Sequence, residues 1–201
     1  EFDLFFAVDG EELKKLLENA GYHTILTSPD LPSGTDRIAK ANQELQREFV
    51  INVQADEPLV TRDQILSLAR MISNPVVSIS TLASVFQTES DFLDPNQVKV
   101  VLDNDGNALY FSRSPIPFSR EKDSNLGYEK TTWGYKHMGL YGYKCEFLDF
   151  FLGSKESILE RIEKLEQLRA LQNGYKIGVE IVEGTSLGID VPADLEKIKF
   201  E

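Results

Sequence analysis

The sequence is poor in cysteine and has no long apolar run. One cysteine, Cys145, stands among 201 residues, so no disulfide can form within the chain. No secretory apolar segment opens the chain, and a reducing, cytoplasmic compartment is the default expectation. The apolar runs are far shorter than the roughly 20 residues of a membrane-spanning helix, so no membrane partner is expected.

Basic residues are also scarce relative to acidic ones. The chain has 21 lysine and arginine residues against 33 aspartate and glutamate residues, a formal net charge of −12. Binding to nucleic acids or anionic membranes depends on basic patches, so neither is expected. An anionic ligand must then be met by local cations or a bound metal, unless the acidic surplus serves solubility alone.

Composition and length indicate one globular domain, residues 1–201, because 41% of the residues are hydrophobic and 27% are charged. The apolar run Asp3–Val8 reads as a buried strand directly after Glu1. A domain seldom begins inside its own central sheet. We therefore expect the complete protein to have residues before Glu1.

Short apolar runs alternate with helical patterns, which predicts an α/β fold with a mostly parallel sheet and helices on both faces. The predicted helices are Glu11–Ala20, Asp36–Gln46 with Thr35 as its cap, Arg62–Ile72, Ile158–Asn173 and Asp194–Lys199. The predicted strands are Asp3–Val8, Thr24–Thr27, Phe49–Val53, Val76–Leu82, His137–Tyr143 and Lys176–Val182. Val98–Leu102 and Ala108–Phe111 predict a hairpin, because the Asp-Gly pair between them suits a tight turn.

Two aspartates follow apolar runs, where open α/β sheets bind ligands. Asp56 comes after Phe49–Val53, and Asp190 ends the segment Leu187-Gly188-Ile189-Asp190. Mg²⁺ prefers one or two carboxylates together with phosphate oxygens and water, so the two side chains would form a magnesium site if they converge. The alternative is that each aspartate only starts a turn or supports a helix.

A loop rich in turn-forming residues, Thr27-Ser28-Pro29-Asp30-Leu31-Pro32-Ser33-Gly34, precedes a helical pattern. Such a loop offers backbone N–H groups to a polar ligand, and Arg37 adds a planar donor fork. By itself this signal is weak, and it is not a Walker A motif. His137, with Arg113, is a candidate for binding an anionic sugar, although a lone histidine on a strand more often serves packing.

These segments, in this order, resemble the 3-deoxy-D-manno-octulosonate cytidylyltransferase (CMP-Kdo synthetase) family. The matching text is Ser33–Arg37, Asn52–Leu59, Ala108–Arg113, His137–Tyr141, Leu165–Arg169 and Gly188–Asp190. The resemblance implies a three-layer α/β/α nucleotidyltransferase (Rossmann-like) fold with an antiparallel hairpin insert that forms a homodimer. It also implies that CMP passes from CTP to Kdo with Mg²⁺ as cofactor, for lipopolysaccharide biosynthesis in the cytoplasm.

The resemblance further implies roles for individual residues. Asp56 and Asp190 would hold Mg²⁺ and act in catalysis. The nucleotide pocket would include Ser33, Gly34 and Arg37, to which the preceding loop adds Thr27 and Ser28. The sugar site would consist of Gln54, Arg113, His137, Tyr141, Glu166 and Gln167.

The sequence departs from the family pattern in three places. Ala55 replaces the usual glycine, and Val191 and Ala193 replace the usual Thr and Glu. A loop that grips the triphosphate with Gly, Arg and Lys is expected before Glu1. Two alternatives remain: a sister cytidylyltransferase for 8-amino-8-deoxy-Kdo or a sialic-type sugar, and a non-catalytic nucleotide-binding or dimer scaffold.

Overall fold

The computed structural model describes residues 2–55, 57–120 and 134–183. The strands in this part are β1 (Phe5–Val8), β2 (His23–Leu26), β3 (Phe49–Asn52), β4 (Ile79–Ser84), β5 (Lys99–Leu102), β6 (Ala108–Ser112), β7 (Tyr135–Lys144) and β8 (Ile177–Ile181). The helices are α1 (Glu11–Asn19), α2 (Gly34–Leu45), α3 (Arg62–Ile72), α4 (Glu89–Leu93), α5 (Cys145–Gly153), α6 (Ile158–Glu163) and α7 (Gln167–Gln172). None of these described helices has the length and apolar character needed to cross a bilayer.

The chain divides into two compact units. The first comprises Glu1–Val50 and Lys144–Lys155, and the second comprises Ile51–Tyr143 and Glu156–Glu201. The chain leaves the first unit within β3 and returns to it at the end of β7, so each unit is built from two separate stretches. One domain over the whole chain remains a prediction.

In the first unit, β1 and β2 pair in parallel, with Phe5 opposite His23 and Val8 opposite Leu26. Helix α1 connects them and is followed by Gly21, whose φ of +88° is in the left-handed region that favours glycine. Helix α2 packs against α5. Helix α5 follows β7 directly and was not predicted as a helix.

The second unit is built on a sheet with strand order β6-β5-β7-β4-β8, and β3 also pairs with β7. The α/β class is confirmed. The sheet is less parallel than predicted, because β7 runs antiparallel to both β4 and β5. Strands β5 and β6 form the predicted hairpin, also antiparallel, whereas β8 lies parallel to β4. In the hairpin turn, Gly106 has a φ of +79°.

A two-residue bulge in β7 interrupts its pairing with β4. Thr81 lies opposite Tyr141, but the next residue, Leu82, lies opposite Met138, so β7 has two extra residues at this point. The side chains of Leu82, Met138 and Leu140 form a buried cluster with Leu68 of α3. Side chains alternate along a strand, so Thr81, His137 and Tyr141 lie on the opposite face of the sheet.

Two predictions about helices are wrong in detail. The helix predicted over Ile158–Asn173 is two helices, α6 and α7, because Lys164 adopts the left-handed conformation with a φ of +54°. The cap of α2 is Ser33, not Thr35, since the Ser33 hydroxyl accepts a hydrogen bond from the Asp36 N–H at 3.1 Å. Helix α3 has the predicted bounds and begins with a capping box of Thr61 and Gln64.

An alanine at position 142 tests the packing of β7 against its neighbours β3 and β4. A Cβ atom on Gly142 would lie 2.3 Å from the Ser80 Oγ and 3.1 Å from the Ile51 Cδ1. We expect Gly142→Ala to lower the free energy of unfolding by about 1–3 kcal/mol, because both neighbours must move. Urea unfolding followed by circular dichroism measures the change.

The matched control is Gly153→Ala in helix α5. A Cβ atom at Gly153 would meet nothing within 4 Å, and alanine is the better helix former, so stability should be unchanged or slightly higher. Wild-type stability of Gly142→Ala would contradict the close packing described above.

Candidate active site

The two predicted magnesium ligands, Asp56 and Asp190, lie outside the described residues. Within residues 2–55, 57–120 and 134–183, no group of three or more His, Cys, Asp or Glu side chains is arranged to hold a metal ion. The assignment of the two aspartates to Mg²⁺ therefore stays a prediction. Of the residues around Asp56, Glu57 donates its N–H to the carbonyl oxygen of Gln54 at 3.1 Å.

The predicted nucleotide-binding residues form a hydrogen-bonded loop in the first unit. The Arg37 Nη1 donates to the Thr27 Oγ1 at 2.6 Å, and its Nη2 pairs with the Asp9 Oδ2 at 2.9 Å. The buried Thr27 hydroxyl donates in turn to the carbonyl oxygen of Val8 at 3.0 Å. Arg37 and Thr27 are thus brought together, and the Arg37 guanidinium is held by the residues at the ends of β1 and β2.

The two serines of this loop stabilise its own backbone. The Ser28 Oγ accepts the Asp30 N–H at 3.2 Å, and the Ser33 Oγ donates to the Asp36 Oδ2 at 2.6 Å. Gly34 is the first residue of α2. The loop therefore enters the helix in a defined conformation, which suits the presentation of backbone groups to a ligand.

His137 in the second unit is surrounded by aromatic rings. Its ring centroid lies 4.9 Å from that of Phe111 and 5.4 Å from that of Tyr141. Although part of the residue remains exposed, burial against these rings lowers the pKa of His137 to about 3. The imidazole is neutral near pH 7, so it can form hydrogen bonds but carries no positive charge.

Tyr141 is close to His137 and Glu166, two other residues of the predicted sugar site. Burial, and then the nearby Tyr143 and the Glu166 carboxylate, raise the pKa of Tyr141 well above its usual value. The phenol therefore keeps its proton. His137, Tyr141 and Glu166 are brought together in the structure, although they are far apart in the sequence.

Arg113 holds the main chain at the end of α6. Its guanidinium donates to the carbonyl oxygen of Glu163 at 2.8 Å, to that of Pro95 at 3.1 Å and to that of Lys164 at 3.5 Å. A guanidinium has five N–H donors, and two of those of Arg113 make no hydrogen bond within the described part of the chain. The predicted sugar contact of Arg113 stays a prediction, and the described contacts give the side chain a role in fixing the turn at Lys164.

Lys99 is a buried cation that sequence reasoning did not single out. Its Nζ donates to the carbonyl oxygens of Asp94 at 2.7 Å and Arg113 at 2.8 Å. Desolvation lowers the pKa of Lys99, although the nearby Asp94 carboxylate acts in the opposite direction. The only signal in the sequence is a lysine within the apolar run that became β5.

A buried ion pair joins the two helices around Glu166 and Gln167. Arg169 of α7 donates through Nη2 to the Glu160 Oε1 and through Nε to the Glu160 Oε2, the latter at 2.8 Å. Glu160 also accepts the Ser157 N–H at 2.9 Å in the capping box of α6. The pair fixes the start of α7, and Gln167 there is buried.

Residues 2–177 of the chain match the sequence profile of the family described as Cytidylyltransferase. The chain belongs to the cytidylyltransferase family. The resemblance found in the sequence is thereby confirmed.

Several relatives of this cytidylyltransferase carry one name, 3-deoxy-manno-octulosonate cytidylyltransferase. The protein of that name from Thermodesulfovibrio yellowstonii is 48% identical over 202 residues, which cover 96% of this chain and 79% of the relative. The one from Geobacter sulfurreducens is 43% identical, with 98% of this chain and 80% of the relative covered.

Solved structures agree with the sequence comparisons. CMP:2-keto-3-deoxy-manno-octonic acid synthetase complexed with CTP superposes with a TM-score of 0.89 and 32% identity, covering 98% of this chain and 78% of that one. A 4-diphosphocytidyl-2C-methyl-D-erythritol synthase from Anaerococcus prevotii has a TM-score of 0.59 at 13% identity, which shows the fold alone. The nucleotidyltransferase fold predicted from the sequence is confirmed.

The pH dependence of stability tests the neutral state of His137. The folded pKa of about 3 lies below the ordinary value of 6.5, so below about pH 6.5 the unfolded chain binds a proton that the folded chain does not. This contribution to stability is present above pH 6.5 and is lost as the pH falls towards 3. In this range the contribution of His137 to the free energy of unfolding falls by up to about 1.4 kcal/mol for each unit by which the pH is lowered.

We expect His137→Gln to lose less stability than the wild type between pH 6.5 and 4, as measured by urea unfolding at a series of pH values. The exposed His23 is present in both proteins, so the comparison isolates the effect of position 137. Parallel stability curves for the two proteins would show that His137 is not held neutral by the fold.

Proposed function

We propose that this cytidylyltransferase transfers CMP from CTP to Kdo, giving CMP-Kdo and pyrophosphate. The observation that carries the proposal is the similarity, over 98% of the chain, to a CMP:2-keto-3-deoxy-manno-octonic acid synthetase bound to CTP. The 48% identity to a 3-deoxy-manno-octulosonate cytidylyltransferase supports the same substrate pair. The product would serve lipopolysaccharide biosynthesis in the cytoplasm.

The described residues suit the two substrates. In the first unit, the loop from Thr27 to Arg37 would bind the nucleotide through backbone groups that its internal hydrogen bonds hold in place. In the second unit, His137, Tyr141 and Glu166 would bind sugar hydroxyls, because the imidazole is neutral and the phenol keeps its proton. Gln54, Arg113 and Gln167 complete the proposed sugar site.

The reaction joins two anions, the nucleotide phosphates and the acidic sugar. The anomeric hydroxyl of Kdo attacks the α-phosphorus of CTP, and pyrophosphate leaves. Carboxylates are the ligands that Mg²⁺ prefers, so Asp56 and Asp190 fit this ion by their chemistry. Mg²⁺ bound there would neutralise phosphate charge and lower the pKa of the attacking hydroxyl.

We also propose that the protein acts as a homodimer through the hairpin of β5 and β6. Strand β6 lies at the edge of the described sheet, and its Leu109 is 60% exposed. An exposed apolar side chain on an edge strand is what a pairing surface presents.

Alanine substitutions at the two aspartates test the proposed catalysis. We expect Asp56→Ala and Asp190→Ala each to lower the rate of CMP-Kdo formation by at least about a hundredfold, because each removes a carboxylate from the proposed cation. Turnover is measured as pyrophosphate release at saturating Mg²⁺, with circular dichroism as the folding check. Asp149→Ala, which removes an exposed carboxylate on α5, is the matched control and should keep wild-type activity.

Near-normal turnover of a folded Asp56→Ala or Asp190→Ala protein would refute the metal role of that residue. The wild-type assay is repeated with 8-amino-8-deoxy-Kdo and a sialic acid in place of Kdo. A higher kcat/KM with either of these sugars than with Kdo would show that this sugar, and not Kdo, is the substrate. No turnover with any of the three would contradict the proposed function and favour a scaffold.

Nucleotide choice tests the assignment of the loop from Thr27 to Arg37. The exocyclic amine of cytosine is a hydrogen-bond donor where uracil has an acceptor. A pocket built for cytosine therefore has an acceptor of its own that finds no donor when UTP is bound. This costs about 1–3 kcal/mol, which corresponds to roughly 5–150-fold in kcat/KM. Equal kcat/KM values for CTP and UTP at saturating sugar would argue against this pocket.

A further inference from the structure

The hydroxyl of Thr81 has three polar neighbours. Its Oγ1 lies 3.0 Å from the Nε2 of His137, 2.8 Å from the carbonyl oxygen of Leu140 and 3.2 Å from that of Met138. Thr81 has no exposed surface, so water does not share in these contacts. All three neighbours belong to β7: Leu140 is an extra residue of the bulge, Met138 is the next paired residue, and His137 pairs with Ala83 of β4.

Only one distribution of hydrogen atoms satisfies these contacts. A hydroxyl has one hydrogen to donate, and a carbonyl oxygen can only accept. Two oxygens 2.8 Å apart need a hydrogen between them, so the Thr81 hydroxyl donates to the main chain of β7, with Leu140 as the closer acceptor. Its lone pairs then face His137, and the Nε2 must be the donor.

The tautomer of His137 follows from this arrangement. A neutral imidazole carries one N–H and one lone pair, so a hydrogen on Nε2 leaves the lone pair on Nδ1. The Nδ1 makes no hydrogen bond to any residue within the described ranges, and the residue as a whole keeps part of its surface exposed. The low pKa of His137 agrees with a neutral ring.

We propose that Thr81 is a positioning residue that holds His137 in the tautomer with hydrogen on Nε2, so that Nδ1 accepts a hydrogen bond from a hydroxyl of the acidic sugar. This assignment rests on the proposed function, since it takes His137 as a sugar-binding residue. It implies that His137 recognises a hydroxyl of the substrate. The substrate's carboxylate must then be bound by other groups.

The inference is tested first without any substrate. The chain has two histidines, His23 and His137, so His23→Gln leaves a single imidazole to observe by ¹⁵N NMR. In this background at neutral pH, we expect a protonated Nε2 and an unprotonated Nδ1. The same pattern is expected in Thr81→Ser, which keeps the hydroxyl, whereas Thr81→Val, of the same shape without it, should show the other tautomer or a mixture.

A protonated Nδ1 in the protein with Thr81 intact would overturn the proposal, as would an unchanged tautomer in folded Thr81→Val. If Thr81→Val does not fold, the spectra of the other two proteins still decide the tautomer. These spectra need no sugar. The tautomer can therefore be determined even if the turnover assay contradicts the proposed function.

Steady-state kinetics then test the effect on the sugar. We expect Thr81→Val to raise the KM for Kdo about 5–10-fold, the equivalent of one lost hydrogen bond, with the KM for CTP nearly unchanged. Thr81→Ser should restore the wild-type KM for Kdo. Equal KM values for Kdo in all three proteins would overturn the proposed role of Nδ1, and an equal rise in the KM for both substrates would show a merely structural effect.

Discussion

The two-residue bulge in β7 determines which side chains face the proposed sugar site. Side chains alternate along a strand, so a single extra residue would exchange the core face for the site face beyond the bulge. Two extra residues preserve the alternation. His137 and Tyr141 therefore stay on one face, while Met138 and Leu140 stay in the core with Leu68.

The hydroxyl of Thr81 links the bulge to the site. A bulge leaves carbonyl groups without their partners in the sheet, and a buried carbonyl without a donor is costly. The Thr81 hydroxyl lies within hydrogen-bonding distance of the carbonyl oxygens of Met138 and Leu140, at the bulge, and of the His137 ring. The main-chain irregularity and the orientation of the imidazole thus depend on the same buried group.

The buried and half-buried charges of the second unit serve its architecture. Lys99 and Arg113 donate to main-chain carbonyls, and Arg169 pairs with Glu160. These contacts hold the turn at Lys164 and the start of α7, where Glu166 and Gln167 lie. The nearby side chains of His137 and Tyr141 carry no charge near neutral pH. Uncharged groups of this kind suit the recognition of a polyhydroxylated ligand by hydrogen bonds.

Local chemistry was enough to predict several elements from the sequence. Helix α3 has its predicted bounds because its capping residues and apolar spacing are local, and the hairpin of β5 and β6 follows from the Asp-Gly turn. The order of the motifs also identified the family. By contrast, the break between α6 and α7 was missed, because the left-handed Lys164 is stabilised by Arg113, about 50 residues away in the chain.

The sequence by itself therefore determined the fold class, the family and the residue types available for the chemistry. Only the tertiary structure decided how those residues are used. The neutral His137 depends on the rings of Phe111 and Tyr141, and its tautomer depends on a threonine of another strand. Spacing along the chain carries no information on such contacts, because they arise from strand register and from the exclusion of water.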